Sequence, residues 1–83
     1  MDRADQLAMR AARNIRKFRH AKGISQEELA SRLGFALPSS ISVLERGKTN
    51  LSLVMALRIC ESLGISIDQL LAVDGDQDIG PEP

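Results

Sequence analysis

Few residues in this chain could carry out covalent chemistry. His20 is the sole histidine and Cys60 the sole cysteine, so neither a metal cluster nor an internal disulfide can be assembled from them. A lone imidazole in a basic helix is ordinarily solvated or beside a phosphate, and no nucleophile, base and orienting carboxylate stand in a recognisable set with His20. Cys60 shares an apolar face with Leu53 and Leu57, which makes it a packing residue. Gly47-Lys48-Thr49 is similar to the end of a phosphate-binding loop, but Ser42 stands where the first glycine of that loop belongs and a helix precedes it instead of a strand. These observations exclude an enzyme and lead us to expect no cofactor, no metal and no small-molecule ligand.

What remains is charge. From Met1 to Gly23 there are seven Lys or Arg against two Asp, from Ile24 to Gly47 two against three acids, and from Lys48 to Pro83 two against six. The formal net charge of zero argues against indiscriminate coating of DNA, while the basic first segment is either a solvated face or a surface that neutralises phosphates. With two Phe and neither Trp nor Tyr, the chain lacks the platforms on which single strands stack their bases, so double-stranded DNA is the nucleic acid it suits. A single thiol, no apolar run of membrane-spanning length and an N-terminus unlike a secretion signal predict a cytoplasmic, nucleoid-associated protein.

The elements that must position these groups are all helical. From about Ala4 to Ala21, Leu7, Ala11, Ile15 and Phe18 form one apolar stripe, with Arg10, Arg13, Arg16, Lys17 and Arg19 on the remaining surface and Gly23 as the stop. Ser25 and Glu28 make a capping box that opens a second helix, buried through Leu29, Ala30 and Leu33 and ended by Gly34. A connector, 35–40, precedes a third helix that begins at Pro38 or Ser40 and reaches Arg46, because proline is tolerated only in a first turn. Ile41 and Leu44 face its inside, and Ser39, Ser40, Ser42, Val43 and Arg46 its outside. Ser52 caps a fourth helix ending at Leu63, with Leu53, Ala56, Leu57, Cys60 and Leu63 as its core face; Val54, Met55 and Ile59 give it more apolar surface than one core needs. Ser66 and Gln69 form a second capping box before a short fifth helix. Residues 74–83 read as an acidic, disordered tail, and residues 1–73 as one domain.

The strings Gly23-Ile24-Ser25-Gln26-Glu27-Glu28-Leu29-Ala30, Leu33-Gly34, Ile41-Ser42-Val43-Leu44-Glu45-Arg46-Gly47 and Leu63-Gly64-Ile65-Ser66, in that order and spacing, resemble the lambda-repressor-like, Cro-type helix-turn-helix regulators, also described as the xenobiotic-response-element type. The stretch from Glu45 to Leu53 is more weakly similar to restriction-modification controller proteins and to some antitoxins. The resemblance implies an all-α, five-helix domain whose helix-turn-helix is formed by the second and third helices, in a small bacterial or phage-type regulator.

It also implies that the second helix crosses the DNA backbone while the third enters the major groove. Gln26 would then lie beside a phosphate at a helix N-terminus. Ser39, Ser40, Ser42 and Val43 are the expected base readers, and Arg46, Lys48, Thr49 and Asn50 the expected phosphate contacts, with Thr49 or Asn50 reaching a base. Arg16 and Lys17 would touch the backbone. One departure matters: ten residues separate Gly34 from Glu45, where the family has nine, and Pro38 fills a position that often reads a base. Either the turn bulges at Ala36-Leu37 or the reading helix starts late, and small hydroxyls would leave much of the specificity to DNA shape.

Dimerisation through the fourth and fifth helices, by Met55, Ile59, Ile65, Ile67 and Leu70, would set two reading helices about 34 Å apart on a pseudo-palindromic operator. Met55 and Ile59 have core packing as their other assignment. The expected function is sequence-specific transcriptional regulation by a homodimer, as an autoregulatory repressor or by recruiting polymerase, with control by concentration. The alternative is an antitoxin-type interaction module that binds a toxin and, secondarily, DNA.

Overall fold

The computed structural model describes residues 2–47 and 51–73. Among them five helices and no strand are found: α1 Arg3–Ala21, α2 Gln26–Leu33, α3 Ser39–Glu45, α4 Leu53–Leu63 and α5 Ile67–Leu71. Lys48, Thr49, Asn50 and the expected tail, 74–83, lie outside the described residues.

The boundaries follow from side chains that satisfy the amides a first turn leaves unpaired. The Asp2 carboxylate accepts from the Asp5 amide at 2.9 Å, and the hydroxyls of Ser25, Ser52 and Ser66 accept from Glu28, Met55 and Gln69 at 3.0, 3.1 and 3.0 Å. The box at Ser66 is reciprocal, because its amide donates to Gln69 Oε1 at 2.8 Å. The box expected at Ser25 is only half formed. Glu28 turns its carboxylate to Arg32 Nε at 3.0 Å, an i,i+4 ion pair that competes for the same oxygens.

The turn bends where a bulge is expected, and α3 begins between the two starts expected for it. The chain bends at Ala36 and α3 begins at Ser39, with Pro38 already in helical conformation and the Leu37 carbonyl accepting from the Ser40 amide at 3.1 Å. Gly34, at φ +79°, makes the preceding reversal in a left-handed conformation that only glycine adopts without cost.

Every helix contributes to one core: Ala11 and Ile15 from α1, Leu29, Ala30 and Leu33 from α2, Ile41 and Leu44 from α3, Ile59, Cys60 and Leu63 from α4, and Leu70 from α5. The buried face of α4 is rotated from the expected one. Leu53 and Leu57, assigned to the core, are exposed together with Val54, whereas Ile59 is sealed and Met55 and Ala56 are half-buried. Apolar residues surround this helix, so periodicity alone does not choose its inward side.

Arginines fix its setting. Arg58 Nη2 donates to the Leu33 carbonyl at 2.8 Å, and Arg32 Nη1 to the Ser62 carbonyl at 3.0 Å, so α2 and α4 each cover a carbonyl in the other's last turn. Asn14, fully buried in α1, donates from Nδ2 to the carbonyls of Leu70 and Ala72 at 2.7 and 3.0 Å. It holds the end of α5, a five-residue helix too short to be stable by itself.

Candidate nucleic-acid interface

Ile41 and Leu44, at a spacing of three, anchor α3 to the core and thereby decide which of its side chains face outward. Ser39 and Arg46 are exposed, and Ser40, Ser42 and Val43 are half-exposed. All five expected contact residues of α3 and its end therefore retain accessible surface.

The orientation of α3 is further fixed by an ion pair for which the sequence carries no local signal. Arg19 was expected on the basic outer surface of α1. It is buried, and its guanidinium donates from Nε to Glu45 Oε2 at 2.6 Å, from Nη2 to Glu45 Oε1 at 3.1 Å and from Nη1 to the Ile24 carbonyl at 2.8 Å. Both side chains are under a tenth exposed, 9% for Arg19 and 5% for Glu45. The two-donor geometry matches the fork of a guanidinium to a carboxylate, which Lys could not reproduce.

Gln26, expected beside a phosphate, joins this network. Its Nε2 donates to Glu45 Oε1 at 3.1 Å, which fixes the amide at the first turn of α2 and leaves its second amide hydrogen for an anion. Arg16 and His20 of α1, Gln26 of α2, and Ser42 and Arg46 near α3 converge with the Arg19–Glu45 pair on one polar cleft of about 260 Å³. Because Arg19 balances the Glu45 carboxylate, Arg16 and Arg46 set the sign of the cleft as positive. A groove edged by two guanidiniums, an amide and a helix N-terminus can hold a phosphate diester.

Lys17 is not brought into this cleft: its Nζ lies 5.4 Å from the centre of the Phe18 ring. Lys48, Thr49 and Asn50, the remaining expected contacts, fall outside the described residues. Of the expected dimer residues, Ile59 and Leu70 are sealed within the protomer's own core, at 0% and 1% exposure, so neither can meet a partner directly. Met55, Ile65 and Ile67 are half-buried against that core.

No helix of the described residues is long and apolar enough to cross a membrane. Among them, no group of His, Cys, Asp and Glu could hold a metal ion.

The helix-turn-helix family model matches residues 15–70, which takes in the cleft and all of the buried apolar core except Ala11 and Ala12. An uncharacterised HTH-type transcriptional regulator of Methanothermobacter thermautotrophicus is 40% identical over 63 residues, spanning 75% of this chain and 90% of that protein. Among solved structures, a hypothetical transcription factor, NHTF, from Neisseria superposes with a TM-score of 0.79 at 33% identity, covering 93% of this chain and 88% of that one. The restriction-modification controller protein C.AhdI from Aeromonas hydrophila superposes with a TM-score of 0.68 at 36% identity, covering 76% of this chain and 94% of that one.

Proposed function

Because the chain belongs to the helix-turn-helix family of transcriptional regulators, which bind double-stranded DNA and are not enzymes, we propose that it regulates transcription as a homodimer on a pseudo-palindromic operator. The α2–α3 unit lies across one half-site, with α3 in the major groove and the polar cleft on the adjoining backbone. The observation that carries this reading is the outward α3 face, held in register by Glu45 on Arg19 and Gln26. Ser39, Ser40, Ser42 and Val43 read bases; Gln26, Arg16 and Arg46 bind phosphates, joined by Lys17, Lys48, Thr49 and Asn50 at the edges.

A second copy covers the exposed apolar side of α4. Leu53 and Val54 are 72% and 67% exposed and Leu57 is nearly half exposed, an arrangement typical of surfaces that meet another protein. This exposure supports a contact through Leu53, Val54 and Leu57, joined by the half-buried Met55, Ile65 and Ile67. The likeness to a restriction-modification controller supports a regulatory role; its form here is autoregulation, with repression where the operator overlaps the promoter. The same apolar side is also what a toxin would need in the antitoxin reading, and a toxin co-purifying with the chain would favour that alternative.

Footprinting the full chain on its own upstream region tests the proposal. Two protected half-sites about one helical turn apart are expected. Protection of a single isolated half-site at saturating protein would rule out the dimer, and no protected sequence at all would rule out an autoregulatory operator.

A further inference from the structure

The reading surface has an unusual chemistry. From Phe35 to Leu44 the chain carries no charged and no amide side chain, so this segment cannot make the bidentate contacts by which Arg reads guanine or Asn and Gln read adenine. What this segment offers a base edge is hydroxyl and hydrocarbon. The largest exposed hydrocarbon is Leu37, the second residue before α3, at 62% exposure. The other large exposed apolar side chains of the described residues belong to α1, to α4 or to α5 and the residues after it. Leu37 alone sits at the leading end of α3, flanked by exposed Ala36, Pro38 and Ser39.

The conformation of the turn creates this feature. Pro38 enters the helix in helical conformation, and Leu37 is left outside the core, which Ile41 and Leu44 fill one turn later. A major groove presents one group that rewards an apolar side chain, the C5-methyl of thymine. The geometry points to Leu37 as a specificity-determining residue that packs on a thymine methyl at the edge of each half-site. The inference rests on the proposed reading role of α3.

The test uses the full chain. A randomised duplex pool is enriched by binding, and the tightest duplex is then rebuilt with deoxyuridine in place of each thymidine in turn, which removes the methyl and keeps the base pair. At one thymine per half-site, uracil weakens binding about fourfold, the worth of one buried carbon. Leu37→Ala weakens binding to the thymine duplex by at least as much and abolishes the uracil penalty at that position, with the thermal midpoint unchanged because the side chain is exposed. Leu37→Met preserves the penalty. If the wild-type chain enriches a sequence but Leu37→Ala leaves every thymine-to-uracil ratio intact, Leu37 does not read DNA and the inference fails alone. A changed oligomeric state with unaltered uracil penalties makes Leu37 a protein contact and overturns it equally. If no duplex is enriched, the reading role of α3 itself fails, and this inference with it.

Discussion

The Arg19 guanidinium grips the Glu45 carboxylate through two hydrogen bonds, at 2.6 and 3.1 Å, where the long first helix meets the end of the third. The sequence places the two residues 26 positions apart, and the fold brings them together beneath the surface proposed to face DNA. Their pairing makes the tilt of α3 depend on α1, and through Gln26 it sets the entry of α2 as well.

Removing one member of this pair is expected to be costly. Glu45→Ala leaves a buried guanidinium without its counter-ion and should lower unfolding stability by about 3 kcal/mol, seen as a shifted urea midpoint. The double change Arg19→Met with Glu45→Leu removes both charges and should recover most of that loss. DNA affinity should stay reduced in the double variant, since Gln26 still lacks its partner. Full recovery of affinity would show that the network does not orient the reading helix.

Asn14 offers a second test of a buried polar contact. Asn14→Leu leaves the carbonyls of Leu70 and Ala72 without the donor they share and should cost about 2 kcal/mol by denaturant titration. A loss below about 0.5 kcal/mol would mean that water replaces the amide there.

Gly47 follows α3 at φ +71°, and a Cβ at that position would run into the Met9 side chain. Gly47→Ala should therefore destabilise by at least about 1 kcal/mol through the left-handed backbone alone. Met9→Ala in the same chain should return the steric part and not the backbone part, which thermal melts of the single and double variants can separate.

The cleft is expected to govern the salt dependence of binding. Arg16→Ala or Arg46→Ala should weaken all duplexes alike and flatten the plot of log affinity against log salt by about one per lost phosphate contact, or about two per dimer. An unchanged slope would remove that arginine from the backbone contact.

Cys60 is buried, with Sγ 3.7 Å from the Ser66 carbonyl; burial, and to a lesser degree the charge of Glu61, pushes its thiol pKa up. The folded chain thus holds the thiol proton more tightly than the unfolded chain does. The sign follows: stability is undiminished below the ordinary thiol range and falls as pH climbs through it, because only the unfolded form ionises readily. Native Cys60 should resist alkylation at neutral pH and react quickly in urea. Cys60→Ala should flatten the alkaline decline.

Much of this architecture could be read from local signals. Ser25, Ser52 and Ser66 announce helix starts, Gly34, Gly47 and Gly64 announce stops, and Leu29, Leu33, Ile41 and Leu44 repeat at helical spacing; all serve as expected. Features that depend on contacts between distant segments were not legible. The inward side of α4 is decided by where Arg58 finds the Leu33 carbonyl, and the burial of Arg19 by Glu45. Asn14 lies among basic and small residues with nothing local to mark it as buried. Gln26, Ser42 and Arg46 were identified for the interface from the family resemblance, but the Arg19–Glu45 pair that gathers them around one cleft has no sequence signal beyond the Glu45-Arg46-Gly47 string.

The hold of Asn14 on the end of α5 has a consequence for the birth of the protein. The amide on α1 finds its acceptors 56 and 58 residues later, so during synthesis α1 must wait for α5 before its buried donor is satisfied. Closure of so long a loop comes late, so α1 and α5 seal against each other only after the helices between them have been made. A fragment that stops short of α5 should therefore keep both halves of the helix-turn-helix and yet be less stable than a chain that carries α5, because Asn14 is left without these two acceptors.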